Sequence, residues 1–130
     1  MKDKEYLVFV YGTLLVGESN HHVAKPHLVH VEEGSIRGYL HDVGPYPALL
    51  LDENGGIISG EWFTVTEEGL ARMDELEDYQ EGRESNHYDR VLVKDRNKNL
   101  EGFVYVYNQE QIEGLPRITS GSWRNRLLNR

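Results

Sequence analysis

Apolar residues fall along this chain in two rhythms, and strands dominate. The run from Tyr6 to Tyr11 is continuously apolar and β-prone and ends at Gly12, which predicts a strand buried on both faces near the middle of a sheet. Further strands are expected at 35–41, 48–51, 57–65, 88–94 and 100–107. The segments Asp-Glu-Asn-Gly-Gly at 52–56 and Asp-Arg-Asn-Lys-Asn at 95–99 carry turn chemistry and predict hairpin loops. A three-residue rhythm replaces this pattern at 66–78, where Leu70, Met73 and Leu76 form the buried stripe of a helix. A second, short helix is expected at 20–25, stopped by Pro26. Residues 78–87 are polar, contain Gly82 and predict a surface loop of the kind that often rims a pocket. With few helices and no regular βαβ alternation, the pattern predicts an α+β fold, a small mostly antiparallel or mixed β-barrel with one principal packed helix and one short helix.

One position breaks the helical pattern. Glu77 stands seven residues after Leu70 and four after Met73, so at about 100° per residue it projects from the apolar stripe, while Arg72 and Glu75 point away. An ionised carboxylate there is costly unless it is paired, hydrogen-bonded or partly protonated. Either it performs chemistry or it is a structural group bound to a neighbour such as Arg90 or Tyr88. Asp74, at the edge of the same face, is the competing acid.

Composition narrows the options. The chain has 130 residues, 38% of them hydrophobic, enough for one core, and residues 1–130 are expected to form a single domain. It shows no bilayer-length apolar run and no leader-like segment, so a cytoplasmic location without membrane association is expected. The absence of cysteine excludes disulfides, thiol catalysis and Cys-based zinc sites. A formal charge of −8 argues against nucleic-acid binding. The basic residues Arg117, Arg124, Arg126 and Arg130 are read as a solvated terminus. An acidic surface offers no long-range attraction to an anionic ligand, so a bound carboxylate must be captured by local donors such as backbone amides.

Tyr11-Gly12-Thr13-Leu14 leaves the first strand where consecutive N–H groups can converge on an anion or a developing oxyanion, although an ordinary strand exit would look the same. Residues 12–19 match the phosphate-loop pattern G-x-x-x-x-G-K-[ST] except that Glu18 replaces the lysine, and an anion at that point defeats phosphate binding. The histidines at 21, 22, 27, 30, 41 and 87 lack zinc-ligand spacing, so no metal is expected. No G-x-S-x-G elbow anchors a serine nucleophile. Tyr46-Pro47-Ala48 reads as a turn entering a strand, and Trp62, Tyr105 and Tyr107 read as core.

Taken together, these segments resemble the γ-glutamylcyclotransferase superfamily, which includes the AIG2-like proteins and γ-glutamylamine cyclotransferase. The resemblance runs through Val8-Phe-Val-Tyr-Gly-Thr-Leu14 with Gly17, Asn20 and His21, through Tyr46-Pro-Ala48 and Gly60-Glu-Trp62, and through Met73-Asp-Glu-Leu-Glu77 to Tyr88-Asp-Arg90. Ser120-Gly121 and Trp123 resemble the family's ending, so nearly the whole chain is covered. Met73 replaces the common leucine, and Asp78 replaces the glycine that commonly follows the catalytic glutamate. Asp78 could raise the proton affinity of Glu77 or face solvent.

The resemblance implies that Glu77 is the general acid/base of a cofactor-independent, metal-free cyclotransfer. The amides of Gly12, Thr13 and Leu14 hold the glutamyl group in a pocket with Tyr11 and Tyr88, and the products are 5-oxoproline and a free amine. The implied partner is a small γ-glutamyl-amine or γ-glutamyl-amino acid, with the amine slightly favoured. Two other readings stay open: a small-carboxylate-binding module that uses the same pocket without turnover, and an amide hydrolase in which Glu77 activates water. A monomer or a homodimer fits equally.

Overall fold

The computed structural model describes residues 4–127. Among them, six strands form one sheet: β1 (Glu5–Val10), β2 (Leu28–Asp42), β3 (Pro47–Leu51), β4 (Gly56–Thr66), β5 (Asp89–Lys94) and β6 (Glu101–Val106). Their spatial order is β3-β2-β4-β1-β6-β5, antiparallel throughout except for the parallel β1–β6 pair. The sheet curls into a half-barrel, and just past β6 the Tyr107 N–H donates to the Leu49 carbonyl of β3 at 2.9 Å. The α+β, mixed-sheet expectation therefore holds.

β1 is central as expected, with Val8 and Phe9, on opposite faces, both fully buried. Its first half is less covered than a strand buried on both faces would be, because Glu5, Tyr6 and Leu7 retain exposure. The expected strand at 35–41 is the end of a longer one. Residues 28–34 are too polar to signal it, and pairing with β4 through Val31↔Phe63 and Glu33↔Glu61 recruits them.

The expected hairpin loop at 52–56 joins two strands that do not pair. β2 lies between β3 and β4, and Gly38 is in register with both Leu51 and Gly56. The connection crosses β2 so closely that a Cβ on Gly55 would lie 2.5 Å from the Gly38 carbonyl oxygen. The 95–99 segment does close a hairpin. Its Asp95 carboxylate accepts from Ser35 N–H and Trp62 Nε1 through one oxygen and from Asn97 and Lys98 N–H through the other, all at 2.8–2.9 Å. Burial alone would raise the Asp95 pKa, but these four donors outweigh it and hold it at about 2.

Three short helices complete the fold: α1 (His21–Ala24), α2 (Glu67–Leu76) and α3 (Gln109–Ile112). Pro26 does not stop the chain after α1; it sits inside a 3₁₀ turn, Lys25–His27, where its missing N–H costs nothing. α3 was not expected, since four residues are too short for a periodic signal. Its Asn108–Gln111 capping box is what fixes it. α2 begins at Thr66, whose hydroxyl accepts from Gly69 N–H, and buries Leu70 and Met73. Leu76 departs from the expected stripe: it is 37% exposed, because the helix ends there beside an opening in the half-barrel.

Candidate active site

That opening is a cavity of about 420 Å³, bounded by the loop after β1, the start of β3, the end of α2 and the start of β5. Tyr11, Gly12, Thr13, Leu14, Glu77 and Tyr88 all line it, and the fold brings these six positions together from three distant parts of the sequence. Tyr46, Pro47, His87 and Tyr105 line it as well. These four were read as turn, strand or core positions or as a scattered histidine. No local pattern marks them, because each reaches the cavity only through the curl of the sheet.

Glu77 lies at the C-cap of α2, where the last helical turn hands the chain to the 78–87 loop. It is half-buried, and none of the ion pairs among the described residues includes it. Burial pushes its pKa up to about 7. The two structural partners considered for it are engaged elsewhere. Arg90 donates to Asp74 at 2.7 Å and lies between the rings of Tyr79 and Phe103. The Tyr88 hydroxyl donates to the Pro47 carbonyl at 2.5 Å. Asp74, the competing acid, also accepts from the Tyr105 hydroxyl at 2.6 Å and is thereby spent on structure.

Tyrosines surround the free carboxylate. Burial first, and then the Glu77 charge, hold the Tyr11 phenol well above its usual range. Burial likewise raises Tyr88, Tyr105 and Tyr107, with Glu77 contributing to each. These phenols therefore stay neutral across the ordinary pH range. Tyr11 donates to the Tyr105 carbonyl at 2.5 Å, and the Tyr46 and Tyr107 hydroxyls meet His87 Nε2 at 3.2 and 2.9 Å. These bonds tie the cavity wall together, and Glu77 and His87 are the titratable groups in its lining other than tyrosines.

Opposite Glu77, the loop after β1 bends tightly, with Leu15 N–H bonded to the Gly12 carbonyl and Asn20 N–H to the Thr13 carbonyl. None of the turn and loop backbone bonds among the described residues engages the N–H of Gly12, Thr13 or Leu14. A Cβ on Gly12 would lie 2.6 Å from Pro47 Cγ, so this close approach requires glycine. The cavity lining contains no lysine or arginine.

Asp78 explains the glycine expected at its position. It has φ +53, the left-handed conformation, as the C′ residue of a Schellman ending in which Tyr79 N–H reaches the Asp74 carbonyl at 2.9 Å and Asp78 N–H the Glu75 carbonyl at 3.2 Å. Its side chain points outward and pairs with Arg83 at 3.2 Å, so of the two roles open to it, facing solvent is the one found. Asp78→Gly is expected to raise stability by about 0.5 kcal/mol and Asp78→Ala to lower it by about 1 kcal/mol. Urea midpoints check that order, and neither change should shift the pH dependence set by Glu77.

The comparisons with known proteins agree with this geometry. Residues 8–125 match the family described as gamma-glutamyl cyclotransferase, AIG2-like. The chain belongs to that family. A Niallia circulans relative, a gamma-L-glutamyl-butirosin B gamma-glutamyl cyclotransferase, is 42% identical over 107 residues, covering 79% of this chain and 67% of its own. The gamma-glutamylcyclotransferase family protein ytfP of Citrobacter rodentium is 32% identical over 120 residues, covering 92% of this chain and 96% of its own. The crystal structure of an AIG2-like protein from Mus musculus superposes with a TM-score of 0.70 at 27% identity, over 87% of this chain and 85% of that one.

Within this AIG2-like chain, the basic C-terminal residues are not simply solvated. Arg117 lies over Tyr39, Arg126 lies over the buried Trp123, and Arg124 pairs with Glu61. Arg130 lies outside the described residues. Among the described residues no helix is long and apolar enough to cross a membrane, and no group of three or more His, Asp or Glu side chains could hold a metal ion.

Proposed function

We propose that the protein is a γ-glutamyl cyclotransferase with Glu77 as general acid/base, acting on γ-glutamyl-amines or γ-glutamyl-amino acids. The observation that carries this reading is a lone carboxylate with a pKa near 7, facing unengaged backbone N–H groups across a cavity of glutamyl-amide size. A carboxylate raised towards 7 is a stronger base for an α-ammonium than a solvated one would be. Glu77 removes a proton from the substrate's α-ammonium, and the freed amine attacks its own γ-carbonyl carbon. The new C–N bond closes the five-membered ring; the old C–N bond breaks as Glu77 returns the first proton to the departing nitrogen, and the second proton, left on the ring nitrogen by the attack, passes through Glu77 to the released amine, which leaves as an ammonium. No water is consumed, and 5-oxoproline and an amine leave.

The N–H groups of Gly12, Thr13 and Leu14 hold the glutamyl carboxylate, while the Tyr11 and Tyr88 rings wall the chain into the folded conformer that ring closure needs. Because the lining, among the described residues, contains no lysine or arginine, a leaving group without its own carboxylate fits better. The reaction as drawn needs no cofactor, and location in the cytoplasm remains part of the proposal.

The test is product identity. Purified protein incubated with γ-glutamyl-amines, γ-glutamyl-amino acids and γ-glutamyl-ε-lysine is expected to release 5-oxoproline, fastest from the amines. Free glutamate would instead indicate a hydrolase. Saturable binding without any product would indicate a carboxylate-binding module.

A further inference from the structure

The loop that offers its N–H groups to the cavity has an outer end held in an unusual way. Val16 N–H donates to Glu61 Oε1 at 2.9 Å, and the Val16 carbonyl accepts from Arg124 Nη2 at 2.6 Å. The same guanidinium lies 3.5 Å from Glu61 Oε2. Both polar groups of one loop residue are therefore gripped by one charged pair, drawn from β4 and from the C-terminal segment. Leu15 beside it is buried in the core, but packing does not hold Val16 itself, which is 44% exposed and is followed by Gly17 at φ +86.

The two sides of the grip are themselves fixed. Glu61 stands opposite Val10 in the β1–β4 register, one residue before the loop begins. Arg124 follows the buried Trp123, and Ser59 N–H ties the nearby Gly121 carbonyl to β4 at 2.9 Å. The inner end of the loop is closed by Asn20 Nδ2 on Thr13 Oγ1 at 2.9 Å and by the His21 ring on the Leu14 carbonyl at 2.9 Å. With both ends pinned, the Gly12–Leu14 amides keep one orientation. Release of the outer end alone leaves the core untouched, since Leu14 and Leu15 stay buried, and loosens the loop one residue past the turn that Leu15 N–H closes on the Gly12 carbonyl, so the amides shift in position without being freed.

We propose that Arg124, acting with Glu61, is a positioning residue for the substrate-binding loop, setting the affinity for the glutamyl carboxylate from outside the cavity. This rests on the cyclotransfer reading for its substrate. The Arg124 side chain is 40% exposed but Glu61 only 12%, so removing the cation leaves a largely covered carboxylate unpaired and carries some stability cost; Glu61→Gln, which removes that charge as well, separates an effect on binding from an effect on folding.

The test compares the parent with Arg124→Ala, Arg124→Lys and Glu61→Gln. For each, it measures kcat and KM for a γ-glutamyl-amine, the Kd for 5-oxoproline by calorimetry, and Tm. Arg124→Ala is expected to raise KM and Kd about tenfold, with kcat within about twofold and Tm lowered by only a few degrees, well short of unfolding at the assay temperature. Lysine, which keeps a donor for the Val16 carbonyl, should recover part of the loss. Unchanged KM and Kd, or a loss that only follows Tm, would overturn the proposal. Calorimetry needs no turnover, so a parent that binds 5-oxoproline without forming it would remove the cyclotransfer reading and leave the clamp to be judged on Kd. A parent that neither binds nor reacts overturns both.

Discussion

Glu77→Gln is expected to cut 5-oxoproline formation about 10³-fold while making the protein more stable than its parent at pH 8. The two effects share one cause. The folded protein holds the Glu77 proton up to about pH 7, whereas an ordinary carboxyl releases it near 4.5. Between those values the folded state binds a proton that the unfolded chain has lost, so stability falls as pH rises through the window. Above 7 the whole cost is present, and below 4.5 none of it is. Because water reaches the carboxylate through the cavity, that cost is about 1–3 kcal/mol rather than the full value of the shift. Glutamine, which never ionises, escapes it. Urea denaturation at pH 5 and pH 8 should show the stabilisation at the higher pH only. In the parent, kcat/KM should climb along a limb centred near pH 7, where the base loses its proton. An active glutamine variant would remove Glu77 from the chemistry, and a stabilisation over the parent that is the same at pH 5 and pH 8 would remove the cost of its burial.

The second large effect is expected at Gly12→Ala. The added methyl would lie 2.6 and 2.8 Å from Cγ and Cδ of Pro47, a rigid ring at the start of β3. Relief requires the Gly12 turn or the β3 entry to move. The first carries the amides proposed to bind the substrate carboxylate, and the second accepts the Tyr88 hydroxyl bond. A shift of an ångström in either costs about 10²-fold in kcat/KM, with about 1–3 kcal/mol of stability lost to overpacking. Pro47→Ala deletes the two atoms that clash, so the double variant should recover much of both losses. Strict additivity in that cycle would show that the contact does not shape the site.

Much of this arrangement could be read before the fold was seen, and the reason differs from residue to residue. Glu77 was legible because a helix writes its buried face into the sequence at fixed spacing, and an acid on that face stands out. β1 was legible because a central strand is apolar without interruption. The first half of β2 was not, since polar residues such as His30 and Glu32 become strand only through their partners on β4. Leu76 misled because the stripe assumes that the helix is covered to its end, and here the cover gives way to the cavity. Tyr46, His87 and Tyr105 carry no local mark at all. The grip of Arg124 on Val16 joins residues 108 positions apart, a distance over which no periodicity speaks.

The parallel seam between β1 and β6 also sets the order in which this molecule can come into being. β1 leaves the ribosome early and can pair with β4 and pack against α2 soon afterwards, but Val8 must wait for Phe103 before the seam closes. Tyr11 and Tyr105, whose hydrogen bond spans 94 positions, meet only at that late step. Joining ends so far apart is entropically slow, so the nascent chain passes through a stage in which β1 has an open edge and the cavity has no floor. The cavity lined by Glu77 is complete only when Tyr105 of the last strand docks.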